Sequence, residues 1–137
     1  INNFKNFKFF DENIFLYLEN DDFCKRLVDH REEIYVVPKS KINHLGGKAV
    51  SQKFSEEVEL SRNWHWIWSK FYFNRKHKSY LFALLNGLPT FISAVLKYVF
   101  YLSIFNPKKS KIYLHRAMGY LNAAIGRKSF FRPNIKI

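Results

Sequence analysis

The sequence predicts an α+β chain, with short strands and one helix over residues 1–50 and a mainly α-helical extension over 51–137. Three observations carry that expectation. The β-branched and aromatic run Ile34-Tyr35-Val36-Val37 stops at Pro38, and a second extended piece, Lys41-Ile42-Asn43-His44, ends at Gly46-Gly47. After this boundary the apolar period becomes helical. The charge also changes character: all 11 acidic residues lie at or before Glu59, whereas 14 of the 23 Lys and Arg residues follow it.

The elements follow in order. Residues 1–18 combine Phe4, Phe7, Phe9, Phe10, Phe15 and Tyr17 around an Asp11-Glu12-Asn13 interruption, which reads as a loop beside a short extended piece. Asn20-Asp21-Asp22 offers a cap and first-turn acids to a helix ending near His30, with Phe23, Leu27 and Cys24 turned inward. Residues 55–77 read as one long helix with Trp64, Trp68 and Tyr72 on one face. A second helical stretch, 79–105, is expected to break around Asn86-Gly87-Leu88-Pro89, because proline lacks a backbone donor. Asn106-Pro107 separates it from a third helix over 108–126. Cys24 is the single cysteine, so no internal disulfide forms and a packing role is expected of it.

One-sided charge in an apolar half points to an anionic partner. The stretch 88–105 spans 18 residues with Lys97 as its one charge, and Lys108, Lys109 and Lys111 follow. Pro89, Ser93 and Lys97 argue for a helix lying in a membrane interface, with lysines reaching out to the headgroups; a transmembrane span is the alternative. Trp64, Trp68, Lys97, Lys108 and Lys109 are the expected membrane-facing residues, with core packing the plainer account of both tryptophans. Basic and aromatic residues also suit nucleic acid, but no nucleic-acid motif is present and no such partner is expected. A peripheral adaptor without chemistry is the remaining reading. The opening at Ile1 has neither an initiator Met nor a leader pattern, which suggests the C-terminal portion of a longer protein.

The informative segment is Phe10-Asp11-Glu12, the aromatics after it, Glu19-Asn20-Asp21-Asp22-Phe23-Cys24-Lys25-Arg26-Leu27, the Pro38-terminated run, and His44 before the glycines. Over about residues 9–50 this order resembles the family 2 glycosyltransferases, in particular their rhamnosyltransferase-like branch. The resemblance continues more loosely into Arg62-Asn63 and the basic aromatic helix.

That resemblance implies a partial GT-A-type fold and inverting transfer from a nucleotide-sugar donor to a lipid-linked or surface saccharide in polysaccharide synthesis. It implies Glu19, Asp21 or Asp22 as the base that deprotonates the acceptor, Asp11, Glu12 and Arg26 around the acceptor loop, and His44 on the metal or pyrophosphate side. Arg26 is expected to pair with Asp22 or to hold the loop. The complete enzyme would use a divalent cation, Mg or Mn, and work peripherally at the cytoplasmic membrane face. Its donor-binding half would precede Ile1, so this portion is expected to be inactive alone. Asn20 departs from the pattern: it stands where the family's usual base is an Asp, and an amide does not take a proton at neutral pH. Glu19 is the preferred replacement. Plain helix-capping acids are the structural alternative for all three carboxylates.

Overall fold

The structure, a computed structural model, describes residues 9–43 and 51–132. Its helices are α1 (Glu19–Asp29), α2 (Ser55–His77), α3 (Tyr80–Ser103) and α4 (Pro107–Ala124), with a 3-10 turn at Gln52–Phe54. Each boundary has a local cause. Glu56 and Glu57 begin α2 and Arg75, Lys76 and His77 end it, matching the helix dipole at both termini. The Ser79 hydroxyl accepts the Phe82 N–H at 3.1 Å and starts α3. Asn106 Oδ1 accepts the Lys109 N–H at 3.1 Å, and Pro107, at the start of α4, has no N–H to leave orphaned there.

Helices α2, α3 and α4 pack against one another around Trp64, Ile67, Trp68, Phe71, Ala83, Tyr120 and Ala123. Two glycines set the spacing. A Cβ on Gly119 would lie 2.4 Å from the Trp64 carbonyl oxygen, so only glycine lets α4 approach α2 this closely. A Cβ on Gly87 would meet the Tyr120 ring at 2.5 Å. Along α2 the rings of Trp64, Trp68 and Tyr72 stack nearly parallel, at 6.2 and 5.1 Å between successive centroids. Residues 127–132 fold back over this ladder. Trp68 Nε1 donates to the Arg127 carbonyl at 3.0 Å, and Phe131 stacks on Trp64.

Buried His65 ties the same tail down. Its Nε2 lies 2.8 Å from the Phe131 carbonyl, which can only accept, so Nε2 carries the proton and Nδ1 accepts the Ser129 hydroxyl at 3.0 Å. Burial holds the His65 imidazole below the ordinary histidine range.

The α+β expectation is corrected: among the described residues there is no strand, and the GT-A-type remnant is absent. The run 34–37 is irregular, with Val36 86% exposed. A strand needs a neighbour to complete its backbone hydrogen bonds, and β-propensity alone supplies none. The expected break at Pro89 is also absent. Proline leaves the Leu85 carbonyl without its helical donor, but Pro89 faces outward, and α3 continues because Gly87, Phe91 and Ala94 are seated on the bundle.

Candidate functional site: the carboxylates of α1 and the basic face of the bundle

Residues 9–29 attach to α2 through polar groups and through rings, with Phe15 5.0 Å from His65 and Tyr17 edge-on to Trp66. Buried Ser69 donates to the Leu16 carbonyl at 2.7 Å. Asp11 closes a turn by accepting the Asn13 N–H at 3.0 Å, and it also accepts Tyr72 Oη at 3.0 Å and Lys76 Nζ at 2.7 Å. Burial and this acidic neighbour push the Tyr72 hydroxyl up to about 12. Asp22 is fully buried, and its carboxylate receives Arg26 Nε at 2.9 Å, Lys76 Nζ at 2.6 Å and His77 Nε2 at 2.8 Å. Burial alone would raise the Asp22 carboxyl, but the hydrogen bonds from Lys76, His77 and Arg26 outweigh it and hold the group below the ordinary carboxylate range. Asp11 is lowered in the same way.

This geometry divides the candidates. Asp22 is corrected from a possible base to a structural anion, because three cationic or N–H groups already occupy its oxygens. Arg26 pairs with Asp22 and also donates from Nη2 to the Phe9 carbonyl at 2.6 Å, so it holds the loop as well. Asp21 and Glu12 are exposed. Glu19 stands apart. Its Oε2 is shielded from solvent and has no hydrogen-bond partner among the described residues. It opens α1 directly after Tyr17 and Leu18, whose φ values of 69° and 65° put two side-chain-bearing residues in the left-handed region. Such backbone strain persists only where surrounding contacts enforce it. Here the Leu16 carbonyl is held by Ser69, and the Tyr17 ring meets Trp66 edge-on at 5.4 Å.

His44 lies outside the described residues. Among the described residues no group of three or more His, Cys, Asp or Glu side chains converges to hold a metal. Asp11 and Asp22 do come together, but Lys76 bridges them, so an ammonium fills the place a divalent ion would need. These two carboxylates do not fit a cation site.

The membrane-facing set also divides. Trp64 and Trp68 are corrected to core residues, 0% and 2% exposed respectively. Lys97, Lys108 and Lys109 are exposed. Helix α3 is long and apolar enough by length and composition to cross a membrane, and only 11% of its most apolar window is buried. Its exposed Leu81, Leu85, Leu88, Ile92, Leu96 and Val99 recur at three- and four-residue steps, forming one outward stripe.

An open groove of about 600 Å³, with no counterpart among the sequence-predicted sites, is lined by Tyr17, Glu59, Arg62, Asn63, Trp66 and Arg116 among others. Arg116 Nε donates to Asn63 Oδ1 at 2.7 Å. Arg62-Asn63 and Trp66 lie close together in the sequence of α2, whereas Arg116, from another helix, has no local signature. No protein-family model, no curated protein and no solved structure matches the chain.

Proposed function

We infer that this chain is the membrane-seated, acceptor-side portion of an inverting, nucleotide-sugar-dependent glycosyltransferase, with Glu19 as its general base. The observation that supports this reading best is the shielded, unpartnered Glu19 oxygen at a strained helix entrance. A carboxylate oxygen that has given up water without gaining a donor is costly, and a bound hydroxyl would supply the missing partner. In the proposed reaction Glu19 takes the proton of the acceptor hydroxyl as its oxygen bonds to the anomeric carbon. The bond from that carbon to the nucleotide breaks on the opposite face, which inverts the centre.

The bundle favours an in-plane seat over a spanning one. Helix α3 packs beside α2 and α4, which carry Arg62, Lys70, Arg75, Lys76, Lys108, Lys109 and Arg116. A perpendicular α3 would draw those charges into hydrocarbon, whereas a flat α3 dips its leucine stripe and leaves them in the headgroups. The reading places the chain peripherally at the cytoplasmic face, with an anionic surface and a saccharide acceptor as partners.

The test is sugar transfer by the complete enzyme carrying Glu19→Gln. Loss of about 100-fold to 10 000-fold in kcat is expected, with the chain still folded by circular dichroism. Unchanged kcat would remove Glu19 from the chemistry.

A further inference from the structure

We propose that the cavity where α2 and α4 end side by side is a binding site for a phosphate monoester, held by Arg75, Arg127 and Lys128. The site is independent of the reaction proposed for Glu19. None of the carboxylates considered for that reaction lines the cavity, and neither does any residue of α3.

The cavity, of about 420 Å³, is made by the way α4 closes. Gly126 takes a φ of 76°, a conformation open to glycine without the penalty that a side chain meets. Its N–H reaches the Ala123 carbonyl at 3.1 Å, and the Arg127 N–H reaches back to the Asn122 carbonyl at 2.9 Å. Trp68 Nε1 then pins this turn to α2 through the Arg127 carbonyl. Arg127 and Lys128 are thereby delivered beside the last turn of α2, which carries Arg75. A Cβ added to Gly126 would stand 3.8 Å from Arg75 Nη1, so that guanidinium already reaches the turn. Buried Trp68, Phe71 and Ala123 complete the lining.

Positive charge is in surplus here. Lys76 also lines the cavity, but it is committed to Asp11 and Asp22, and Arg26 shares in offsetting that pair. No ion pair among the described residues involves Arg75, Arg127 or Lys128. Arg127 donates only to the neutral Asn122 side chain, at 3.3 Å. Two helix C-termini meet at the cavity, each worth roughly half a negative charge, so three cations leave about two positive charges unanswered.

That surplus defines the ligand. A phosphate monoester carries about −1.5 to −2 at neutral pH and presents three acceptor oxygens, which suit the forked donors of two guanidinium groups. A carboxylate or a phosphodiester brings one charge and leaves half of the surplus unmet. A nucleic-acid strand needs cations in a row, whereas these converge on one hollow. Asn13, whose side chain is held by Asp11, lines the same cavity. A bound phosphoryl group therefore borders the segment 9–29, α2 and the turn at 126–128 together.

The experiment is titration calorimetry of the purified chain with glycerol 3-phosphate, and with dimethyl phosphate as the monoanionic diester. One-to-one binding of glycerol 3-phosphate is expected, at least about tenfold tighter than that of dimethyl phosphate, the size of one charge-assisted hydrogen bond. Arg75→Gln and Arg127→Gln should each weaken it by a similar factor, while Lys109→Gln, at the other end of α4, should leave it unchanged. All three side chains are exposed, and Trp68 holds Arg127 by its backbone, so the circular dichroism should not change. Lys128→Gln gives the same reading should an arginine variant fail to fold. Amide exchange should slow around Asn13 and at residues 126–128 in the bound form. Flotation with phosphatidic acid against phosphatidylglycerol, at matched surface charge in phosphatidylcholine vesicles, identifies the source of the phosphoryl group. A preference for phosphatidic acid that Arg75→Gln abolishes, without binding of glycerol 3-phosphate, would assign the monoester to a lipid headgroup. Absence of binding in both forms, a diester bound as tightly as the monoester, an equal loss in Lys109→Gln, or protection confined to other residues would each overturn the proposal.

Discussion

The bundle of α2, α3 and α4 and the segment 9–29 are held by different means. The bundle closes on aromatic rings and two glycine contacts, with Trp64 fully buried between α2 and the returning tail. The segment adds to its Phe15 and Tyr17 ring contacts a set of carboxylates, a serine and a tyrosine hydroxyl, and its fully buried residue is charged Asp22. Apolar packing is insensitive to pH and spread over many atoms, whereas a buried carboxylate depends on each of its partners. The two regions should therefore fail separately, under different provocations.

The bundle should give the largest effect. Trp64→Ala removes a ring that stacks on Trp68 and Phe131 and touches His65, leaving a cavity that rigid helices cannot close. A loss of about 3–5 kcal/mol is expected, read as the denaturant midpoint of far-ultraviolet circular dichroism. A smaller loss than that of a surface control would show that the ladder does not organise the core.

Asp22→Ala should cost about 3 kcal/mol, but its cost should fall on the segment rather than the bundle. It leaves Lys76, Arg26 and His77 facing a buried void. Amide exchange should quicken across residues 19–29 while the α2 and α4 interior keeps its protection. Uniform loss across all four helices would mean that the two regions fold as one cooperative unit.

These regions were also unequally legible. The long helix was readable to its ends, 55–77, because acids, bases and the Trp64–Trp68–Tyr72 spacing all pointed the same way. The run 34–37 has strong β-propensity, yet a strand is fixed by its partner, which a local reading does not contain. The helix-breaking signal of Pro89 fails for the reverse reason: the seat of Phe91 on Tyr120 outweighs one missing hydrogen bond. At the site, the Asp22–Arg26 pair is local and could be foreseen. Lys76 and His77 come from more than 50 residues away, and the pattern that nominated Asp22 as a base gave no hint of them.

Acid should separate the regions by degree. Neutral His65 clasps Phe131 and Ser129, and its folded value is depressed, so its contribution is complete above the ordinary 6.5 and drains as pH falls below it. Asp22 is also depressed, so its contribution is complete above the ordinary 3.8 and is lost only below that. On acidification the tail at 127–132 should loosen first and the segment 9–29 second. Tail release is readable as dequenching or a wavelength shift of tryptophan emission, because Trp64 and Trp68 both contact it. The opposite order would assign the tail's hold to its aromatics rather than to His65.

The smallest effect sharpens the comparison most, because it sets two carboxylates of one helix against each other. Asp22 is buried and fully partnered; Glu19 has a shielded oxygen and no partner among the described residues. If burial alone decided, replacing either would destabilise. If partners decide, Glu19→Gln breaks no hydrogen bond and removes only a first-turn charge that favours the α1 dipole, so the chain should lose less than about 1 kcal/mol. Near-unchanged stability, with transfer lost, is the signature of a residue kept for chemistry. A clear loss in Glu19→Gln, comparable to that in Asp22→Ala, would instead make Glu19 a structural anion of the helix entrance, and the strained Tyr17–Leu18 turn would then serve the fold and not a substrate.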